Sequence, residues 1–310
     1  MLSRTADHLY WMSRWLERGE SLARMLDAHY RHSLLPHTPD VLARDWTATL
    51  GSLGVLDGYL ARYGEIEPGR AFNYLAFDRD HGSSIVSCLR EARENARAVR
   101  GTITSEMWET LNATWLEIRA YDARRADVGD FLEWVKYRSH LSRGVTLGTM
   151  LRDEAFQFTR IGTFLERADA TARMLLARAK PGVEINDDPA GTDHYAWTLL
   201  LRSLSAFEVY RKVYRDAVTP RRVTELFVLR DDVPRSLHRC INEVYVNLRA
   251  VGNDQSPETE RRAGELHARF RFGRLEDLLA RGYGAFLDDF LGHTRSLGHR
   301  ISQDFLVPVT

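Results

Sequence analysis

Two short stretches of this sequence place the same charged residues at the same spacing. They are residues 16–26 and 165–175, and each begins Leu-Glu-Arg and ends Ala-Arg-Met-Leu. An acidic residue stands between these blocks in both copies, Glu20 in the first and Asp169 in the second. Carboxylates and guanidinium groups form charge-assisted pairs with each other and with ionic ligands. The duplicated phrase therefore predicts charge chemistry at two related places.

Helical geometry indicates which of these charges can meet. At about 100° per residue, Glu17, Glu20 and Arg24 lie along one flank of the apolar stripe that contains Leu16. Arg18 points to nearly the opposite side of the helix, so Glu17 and Arg18 cannot pair with each other. Glu20 and Arg24 are four residues apart and can form an ion pair within the helix.

The second copy repeats this arrangement, with Asp169 and Arg173 as the pair within the helix. Glu166 and Arg167 must then find partners on neighbouring helices, as in the first copy. We expect the two Leu-Glu-Arg helices to occupy equivalent places and to face each other or a shared centre. One interpretation is a structural clamp, in which each glutamate fixes an arginine of an adjacent helix, because buried charges persist only when they are paired.

Other charges fall where an apolar residue is expected. Glu154 lies on the same predicted stripe as Phe158, and Arg211 occupies an apolar position in a predicted helix from Trp197 to Tyr214. Burying such groups is costly unless they are paired or line a polar cavity. We therefore expect a pocket suited to an amino acid, a peptide end or a phosphate, although a purely structural network explains each single pair as well. The candidate substrate-binding residues are Glu17, Arg18, Arg93, Asn95, Arg97, Arg152, Glu154, Glu166, Arg167, Asp169, Glu208 and Arg211.

The boldest form of this hypothesis concerns one shared location. It predicts that a subset of the candidates converges on a single cavity that solvent can reach. That subset is Arg97, Glu154, Glu166, Glu208 and Arg211.

The elements that must position these residues are helices. Apolar residues recur three and four positions apart, as from Leu9 to Leu26 and from Phe158 to Leu175, and no convincing alternating strand pattern appears. We predict an all-α protein, a multi-helix bundle of about ten helices with an internal two-fold repeat. Residues 1–310 form one predicted domain, with pseudo-repeat halves of about 1–150 and 151–310 and the sharpest division near residues 181–189.

Charge, cysteine spacing and the absence of known motifs argue against nucleic acid, membranes and metals as partners of this chain. The 310-residue chain carries 43 basic and 43 acidic residues, so charge gives no reason to expect binding to nucleic acid or to a membrane surface. Cys88 and Cys240 lack metal-binding spacing and suit a reducing cytosol. No phosphate-binding glycine loop or zinc-protease motif is present. We expect a cytoplasmic protein without a metal site, a cofactor or a membrane span.

Several phrases, taken in order, resemble one known family over essentially the full length. They are Leu-Tyr-Trp-Met-Ser-Arg with Leu-Glu-Arg at 9–18, Ala-Arg-Glu-Asn-Ala-Arg at 92–97, Trp-Glu-x-Leu-Asn at 108–112, Thr-Met-x-Arg-Asp-Glu at 149–154, Leu-Glu-Arg-Ala-Asp-x-Thr-Ala-Arg at 165–173, Leu-Arg-Ser-x-Ser-Ala-Phe-Glu at 201–208 and Pro-Arg-Ser-Leu at 234–237. On these phrases the chain resembles the alpha-E domain family, the bacterial helical proteins named for a Glu-Arg motif.

The resemblance implies partners more than it implies an activity. Members of this family are often encoded beside, or fused to, a circularly permuted ATP-grasp ligase and a transglutaminase-like protease. The first hypothesis is thus a non-catalytic subunit that docks the ATP-grasp ligase and helps to bind its amino-acid or peptide substrate. The second is an enzyme whose charged pocket performs acyl or aminoacyl transfer. The sequence lacks an obvious nucleophile with a base, which favours the first hypothesis.

Overall fold

The computed structural model describes residues 1–34, 36, 38–121, 127–179, 185–187 and 194–306, and these residues form fifteen α-helices and no strand. The predicted all-α class is confirmed, but the helices are more numerous and several are shorter than the sequence pattern indicates. In chain order they are α1 (Ser3–Ser33), α2 (Pro39–Ser52), α3 (Leu56–Tyr63), α4 (Pro68–Ala76), α5 (Ile85–Ala98), α6 (Ser105–Arg119), α7 (Val128–Thr149), α8 (Glu154–Leu176), α9 (His194–Ser203), α10 (Phe207–Tyr214), α11 (Pro220–Val228), α12 (Leu237–Val251), α13 (Pro257–Phe272), α14 (Leu275–Leu279) and α15 (Tyr283–Phe305).

One predicted helix is divided in the structure. The stretch from Trp197 to Tyr214 forms α9 and α10, which are separated at Ser205, a residue with a left-handed φ of 52°. The N–H of Ala206 donates to the carbonyl of Leu201 at 2.8 Å and closes the turn that ends α9. This left-handed termination of a helix is common, although glycine is its usual residue. The prediction of one continuous helix here is therefore wrong.

One helix in each half begins after a capping serine. α5 begins after Ser84, whose hydroxyl accepts a hydrogen bond from the N–H of Ser87 at 3.2 Å. α12 begins after Ser236, whose hydroxyl accepts one from the N–H of Arg239 at 3.0 Å. A serine in this place satisfies one of the unpaired N–H groups of the first turn. α5 and α12 are thus counterparts in the repeat.

A buried tyrosine marks a second pair of counterparts. The hydroxyl of Tyr59 in α3 accepts a hydrogen bond from the N–H of Glu67 at 3.3 Å. The hydroxyl of Tyr210 in α10 accepts one from the N–H of Thr219 at 3.2 Å. Glu67 and Thr219 are the residues that cap α4 and α11, so the tyrosine anchors the next helix in both halves.

α1 and α8 form the centre of the molecule and run side by side in the same direction. Tyr10 faces Gly162 near their beginning, and Glu17 meets Arg167 further along. A Cβ atom built on Gly162 would lie 2.4 Å from the carbonyl oxygen of Tyr10. The two backbones can approach this closely only because residue 162 has no side chain.

A single cluster of buried apolar side chains continues through both halves. It includes Leu9 and Leu26 of α1 as well as Ile161 and Leu175 of α8, all of which are buried. The predicted division near residues 181–189 lies outside the described residues except at 185–187. None of the described helices combines the length and the apolar character that crossing a bilayer requires.

Candidate functional site

The two Leu-Glu-Arg motifs bind each other across the contact between α1 and α8. Arg18 donates from Nε to Oε1 of Glu166 at 2.6 Å and from Nη2 to Oε2 at 3.1 Å. Arg167 donates with the same two nitrogens to the same two oxygens of Glu17, at 2.9 and 2.6 Å. The helices face each other as predicted, and the glutamate of each motif holds the arginine of the other in a two-pronged pair.

Further arginines surround the glutamates of α1. Arg235, which precedes α12, donates to Glu17 at 2.9 Å and to Glu20 at 2.7 Å. Arg24 donates twice to Glu20, at 2.9 and 2.7 Å, in the predicted pair within the helix. Arg143 of α7 contacts the second oxygen of Glu20. Both carboxylates of α1 are therefore enclosed by guanidinium groups.

The acidic residues of α8 have fewer partners. Arg14 donates from Nε to Oε2 of Glu166 at 2.7 Å, in addition to the bonds from Arg18. Arg173 donates from Nε to Oδ2 of Asp169 at 2.6 Å, and its Nη1 donates to the carbonyl of Ser52 at 2.9 Å. The pair of Asp169 and Arg173 is the counterpart of Glu20 and Arg24, as the sequence predicts.

The three buried glutamates and their arginine partners form what we call the central charge cluster. Burial raises the pKa of Glu166, but the charges of Arg14 and Arg18 outweigh it and lower that pKa to about 2. The pKa of Glu17 is likewise lowered, because Arg167 and Arg235 outweigh the effect of burial. All three glutamates are thus ionised at neutral pH, and arginine exceeds glutamate in the cluster. Its members are Glu17, Glu20 and Glu166 with Arg14, Arg18, Arg24, Arg143, Arg167 and Arg235.

A cavity of about 230 Å³ lies beside this cluster, between α1 and α8; we call it the Glu166 cavity. Its walls carry both signs of charge and several hydroxyl groups, and its remaining surface is apolar. It reaches solvent, because Arg18, Asp169 and Arg173 are each partly exposed. Such a cavity can hold a small ligand that carries charge. The polar residues that line it are Arg18, Ser21, Ser52, His81, Ser83, Glu166, Asp169 and Arg173.

Among the described contacts, no nucleophile in the lining of the Glu166 cavity is hydrogen-bonded to a base. His81 stacks on Tyr74 with ring centroids 4.3 Å apart, and in the described contacts it forms no hydrogen bond to a cavity serine. Burial raises the pKa of the nearby Cys88 to about 12, which keeps that thiol protonated and a weak nucleophile. No group of three or more His, Cys, Asp or Glu residues in the described part of the chain is arranged to hold a metal ion.

Glu154 does not lie in the core, so this expectation from the helical stripe is wrong. Asp153 caps α8 by accepting a hydrogen bond from the N–H of Phe156 at 3.2 Å, so Glu154 is the first helical residue. Its side chain is 53% exposed because it lies at the end of the bundle. Arg152 precedes the helix and is exposed as well.

The structure also corrects the expected positions of Glu208 and Arg211. Both residues are exposed on α10. The break at Ser205 turns α10 away from the direction of α9, so the apolar stripe of α9 does not continue through position 211. The predicted convergence of five charged residues on one cavity is therefore wrong, and of the five only Glu166 lines the Glu166 cavity.

The three candidates on α5 point away from the Glu166 cavity. Arg93 lies over the ring of Trp108 at 5.3 Å and donates to Asn112 at 3.2 Å, on α6. Asn95 bonds to His8 at 2.9 Å. Arg97 is 64% exposed and pairs with Glu94 of the same helix. The contacts of Arg93 and Asn95 join α5 to α6 and to α1, whereas that of Arg97 stays within α5. The role of all three residues in substrate binding stays a prediction.

Four residues important to the site were missed by sequence reasoning. Arg14 had a local signal, because it precedes Arg18 by four residues and so shares its helix face. Arg235 belongs to the Pro-Arg-Ser-Leu phrase, but nothing local shows that it reaches α1. Arg143 and Ser83 gave no signal that their spacing could reveal.

The chain is a helical protein with two copies of a Glu-Arg motif on its two central helices. The glutamate of each copy forms an ion pair with the arginine of the other. The chain belongs to the Alpha-E family, described as a predicted alpha-helical domain with a conserved ER motif, and the family model matches residues 1–306. The reciprocal pairs between Glu17 and Arg167 and between Arg18 and Glu166 give that motif a structural meaning.

Curated relatives extend this assignment without adding an activity. The chain is 24% identical over 312 residues to an uncharacterized protein of Mycobacterium bovis and to uncharacterized proteins of Mycobacterium tuberculosis. Each match covers 93% of this chain and 35% of the relative, so the chain spans about a third of the length of these proteins. No solved structure matches the chain.

Proposed function

We propose that this protein is a non-catalytic helical subunit of an ATP-grasp amide ligase system and that it holds the amino-acid or peptide substrate in the Glu166 cavity. The observation that carries the proposal is the cavity itself, which presents Glu166 and Asp169 together with Arg18 and Arg173. An amino acid or a peptide end carries charge of both signs, and such a wall is complementary to it. The circularly permuted ATP-grasp ligase is the proposed partner in the cytoplasm, with a transglutaminase-like protease in the same system.

Family membership supports the partnership and the relatives are consistent with it. In the mycobacterial proteins the matched region is joined to about twice its own length of further sequence. A domain that occurs joined to more sequence is suited to work beside another protein or domain.

The enzyme alternative has less support in the described contacts. Acyl transfer requires a nucleophile with a base in reach, or an acid with a pKa near neutrality. Glu166 is held ionised by two arginines, and Cys88 is held as a thiol by burial. We therefore assign binding rather than chemistry to this subunit.

Reconstitution with the ATP-grasp protein encoded in the same genomic neighbourhood tests the proposal. We expect a complex in size-exclusion chromatography with light scattering, and faster ADP release by the ligase when the subunit and the cognate amino acid are both present. Asp169→Asn should keep the complex and lose the stimulation. Asp288→Asn, on the exposed face of α15 and outside the Glu166 cavity, is the matched control and should change neither.

Two results would contradict the proposal. One is that the subunit neither binds the ligase nor changes its turnover. The other is product formation by the subunit without the ligase, from an activated acyl or aminoacyl donor, which would establish the enzyme alternative.

A further inference from the structure

The two halves of the molecule differ at one position next to the central charge cluster. Ser84 and Ser236 cap the counterpart helices α5 and α12, and each N–H group of these serines donates to a carbonyl three residues earlier, at 2.9 and 3.0 Å. The residue just before the cap is Ser83 in the first half and Arg235 in the second. The same place in the repeat therefore carries a short hydroxyl in one half and a long cation in the other.

In the second half the guanidinium group of Arg235 fills the space beside α1. It donates to Glu17 at 2.9 Å and to Glu20 at 2.7 Å, and its side chain is only 8% exposed. In the first half Ser83 is too short to reach the counterpart acids, Glu166 and Asp169. Ser83 lines the Glu166 cavity together with both of these acids.

The charges around the two places are balanced alike. Around Glu17 and Glu20, three guanidinium groups bind the carboxylates before Arg235 is counted, those of Arg24, Arg143 and Arg167. Around the Glu166 cavity the two carboxylates are bound by three guanidinium groups, those of Arg14, Arg18 and Arg173. Since the charges around Glu17 and Glu20 accommodate one more guanidinium group, that of Arg235, the equal set of charges around the Glu166 cavity can also accommodate one.

One carboxylate oxygen at the Glu166 cavity has hydrogen-bonding capacity left for a donor. Both oxygens of Glu166 already accept hydrogen bonds from Arg14 and Arg18. In contrast, Oδ1 of Asp169 receives only one long bond, of 3.4 Å.

A buried hydroxyl on the cavity wall has capacity for a hydrogen bond to a ligand. Ser21 is 5% exposed, and its Oγ has no hydrogen-bond partner among the described residues. Buried hydroxyls without a partner are rare, because leaving one unpaired costs free energy. A ligand with several N–H groups would supply the missing bond.

We propose that the Glu166 cavity binds a guanidinium group, as carried by arginine or by an arginine residue of a peptide, in the place that Arg235 occupies in the second half. This inference rests on the proposed function, because it names the class of substrate that the subunit would hold for the ligase. The guanidinium group lies against Glu166 and Asp169, and the apolar wall formed by Leu22, Met25 and Met174 covers the methylene groups of the side chain.

Calorimetry with four probes tests the inference on the isolated chain. The probes are arginine, agmatine, which keeps the guanidinium group and lacks the carboxylate, citrulline, which keeps the shape and lacks the charge, and inorganic phosphate. We expect agmatine and arginine to bind, and citrulline to bind at least about tenfold more weakly because charge-assisted hydrogen bonds are lost. Tighter binding of phosphate or citrulline than of agmatine would overturn the inference, as would no binding of any probe.

Ser83→Arg supplies the missing side chain from the protein itself. It should reproduce the contacts of Arg235, raise the melting temperature and lower the affinity for agmatine at least about tenfold. Thr47→Arg, on the exposed face of α2, is the control for added charge and should leave agmatine binding unchanged. A folded Ser83→Arg variant that binds agmatine as well as the wild type contradicts the assignment of the site.

The experiments with the ligase remain independent of these outcomes. If the subunit binds and stimulates the ligase but agmatine and arginine do not bind, the guanidinium inference fails and the proposed function stands. If agmatine binds and the ligase is neither bound nor stimulated, the site is assigned correctly and the proposed function fails.

Discussion

Glu17 lies between Arg167 and Arg235, whose side chains are 6 and 8% exposed, whereas the arginine partners of Glu166 are 18 and 25% exposed. Removal of Glu17 therefore leaves the buried guanidinium group of Arg167 without its carboxylate and takes one of two carboxylates from Arg235. Removal of Glu166 leaves two groups that are less buried, of which Arg18 lines the adjacent cavity. The two motifs are equivalent in sequence but differ in how much stability they provide.

This difference gives the first prediction. Glu17→Ala should lower the free energy of unfolding by about 3–5 kcal/mol, because it breaks a buried ion pair. Glu166→Ala should lower it by about 1–3 kcal/mol, because its partners remain hydrated. Urea denaturation of the two variants measures both values. Equal losses, or a larger loss for Glu166→Ala, would show that the Glu166 cavity does not hydrate its arginines.

The ionisation of Glu166 predicts how stability depends on pH. Its pKa is about 2 in the folded protein and is ordinarily 4.5, so between these values the unfolded chain binds more protons than the folded one. The contribution of Glu166 to stability is therefore complete above about pH 4.5 and is lost as the pH falls towards 2. The unfolding free energies of the wild type and of Glu166→Gln should therefore become more alike as the pH falls from 4.5 to 2.

A matched control isolates the effect of Glu166. Glu109→Gln removes an exposed glutamate of α6 and should leave the pH dependence of the wild type unchanged. If Glu166→Gln retains the full decline between pH 4.5 and 2, the decline comes from other carboxylates.

Ion pairs between residues of the same helix could be predicted from the sequence, whereas those between residues far apart in the chain could not. The pairs Glu20–Arg24 and Asp169–Arg173 follow from the helical repeat, which fixes residues four apart on one face. The two glutamate–arginine pairs between the motifs needed one further step, that equivalent helices meet. Arg235 approaches α1 only because α12 packs on α8, and that placement depends on tertiary structure rather than on any local pattern.

The site depends on the close contact between α1 and α8. Gly162 allows this contact because it has no side chain. Gly162→Ala should destabilise the protein by about 1–3 kcal/mol or more, because the added methyl group would overlap the backbone of Tyr10 and separate the helices. Gly144→Ala is the control, since that helical glycine is exposed with no atom near its added Cβ. It should stabilise the protein by about 0.5–1 kcal/mol.

Thermal melts of the two glycine variants distinguish a packing effect from a propensity effect. Alanine favours a helix at both positions, so a lower melting temperature for Gly162→Ala alone identifies the close contact with α1. A melting temperature for Gly162→Ala at or above that of the wild type would contradict the described approach of the two helices.

At the scale of elements, periodicity predicted the helices well and their ends less well. The division between α9 and α10 could not be predicted from the sequence because Ser205 has a left-handed φ of 52°. Glycine, rather than serine, is the residue that usually indicates such a turn. The counterpart of Ser205 between α2 and α3 is Gly54, with a φ of 71°. In both places the next N–H, of Val55 or Ala206, closes the turn by a hydrogen bond back to the preceding helix. Comparison of the halves would have revealed the break.

The whole molecule should unfold as one unit, because the buried apolar cluster continues through both halves and the charged pairs join them. Hydrogen exchange measured by mass spectrometry in increasing denaturant tests this prediction. The core helices α5 and α12, one from each half, should lose protection over the same range of denaturant. Loss of protection in α12 while α5 remains protected would instead show two separately stable halves.

The reciprocal pairing of the two motifs has the geometry of an isologous interface between two identical subunits. In such an interface residue i of the first subunit contacts residue j of the second, and residue j of the first contacts residue i of the second. In a homodimer such an interface obeys strict symmetry, so any substitution appears on both sides at once. Here both sides belong to one polypeptide, and each can carry its own substitution. Arg235 closes one side, while Ser83 leaves the other open, an asymmetry that a symmetric pair of identical subunits could not possess.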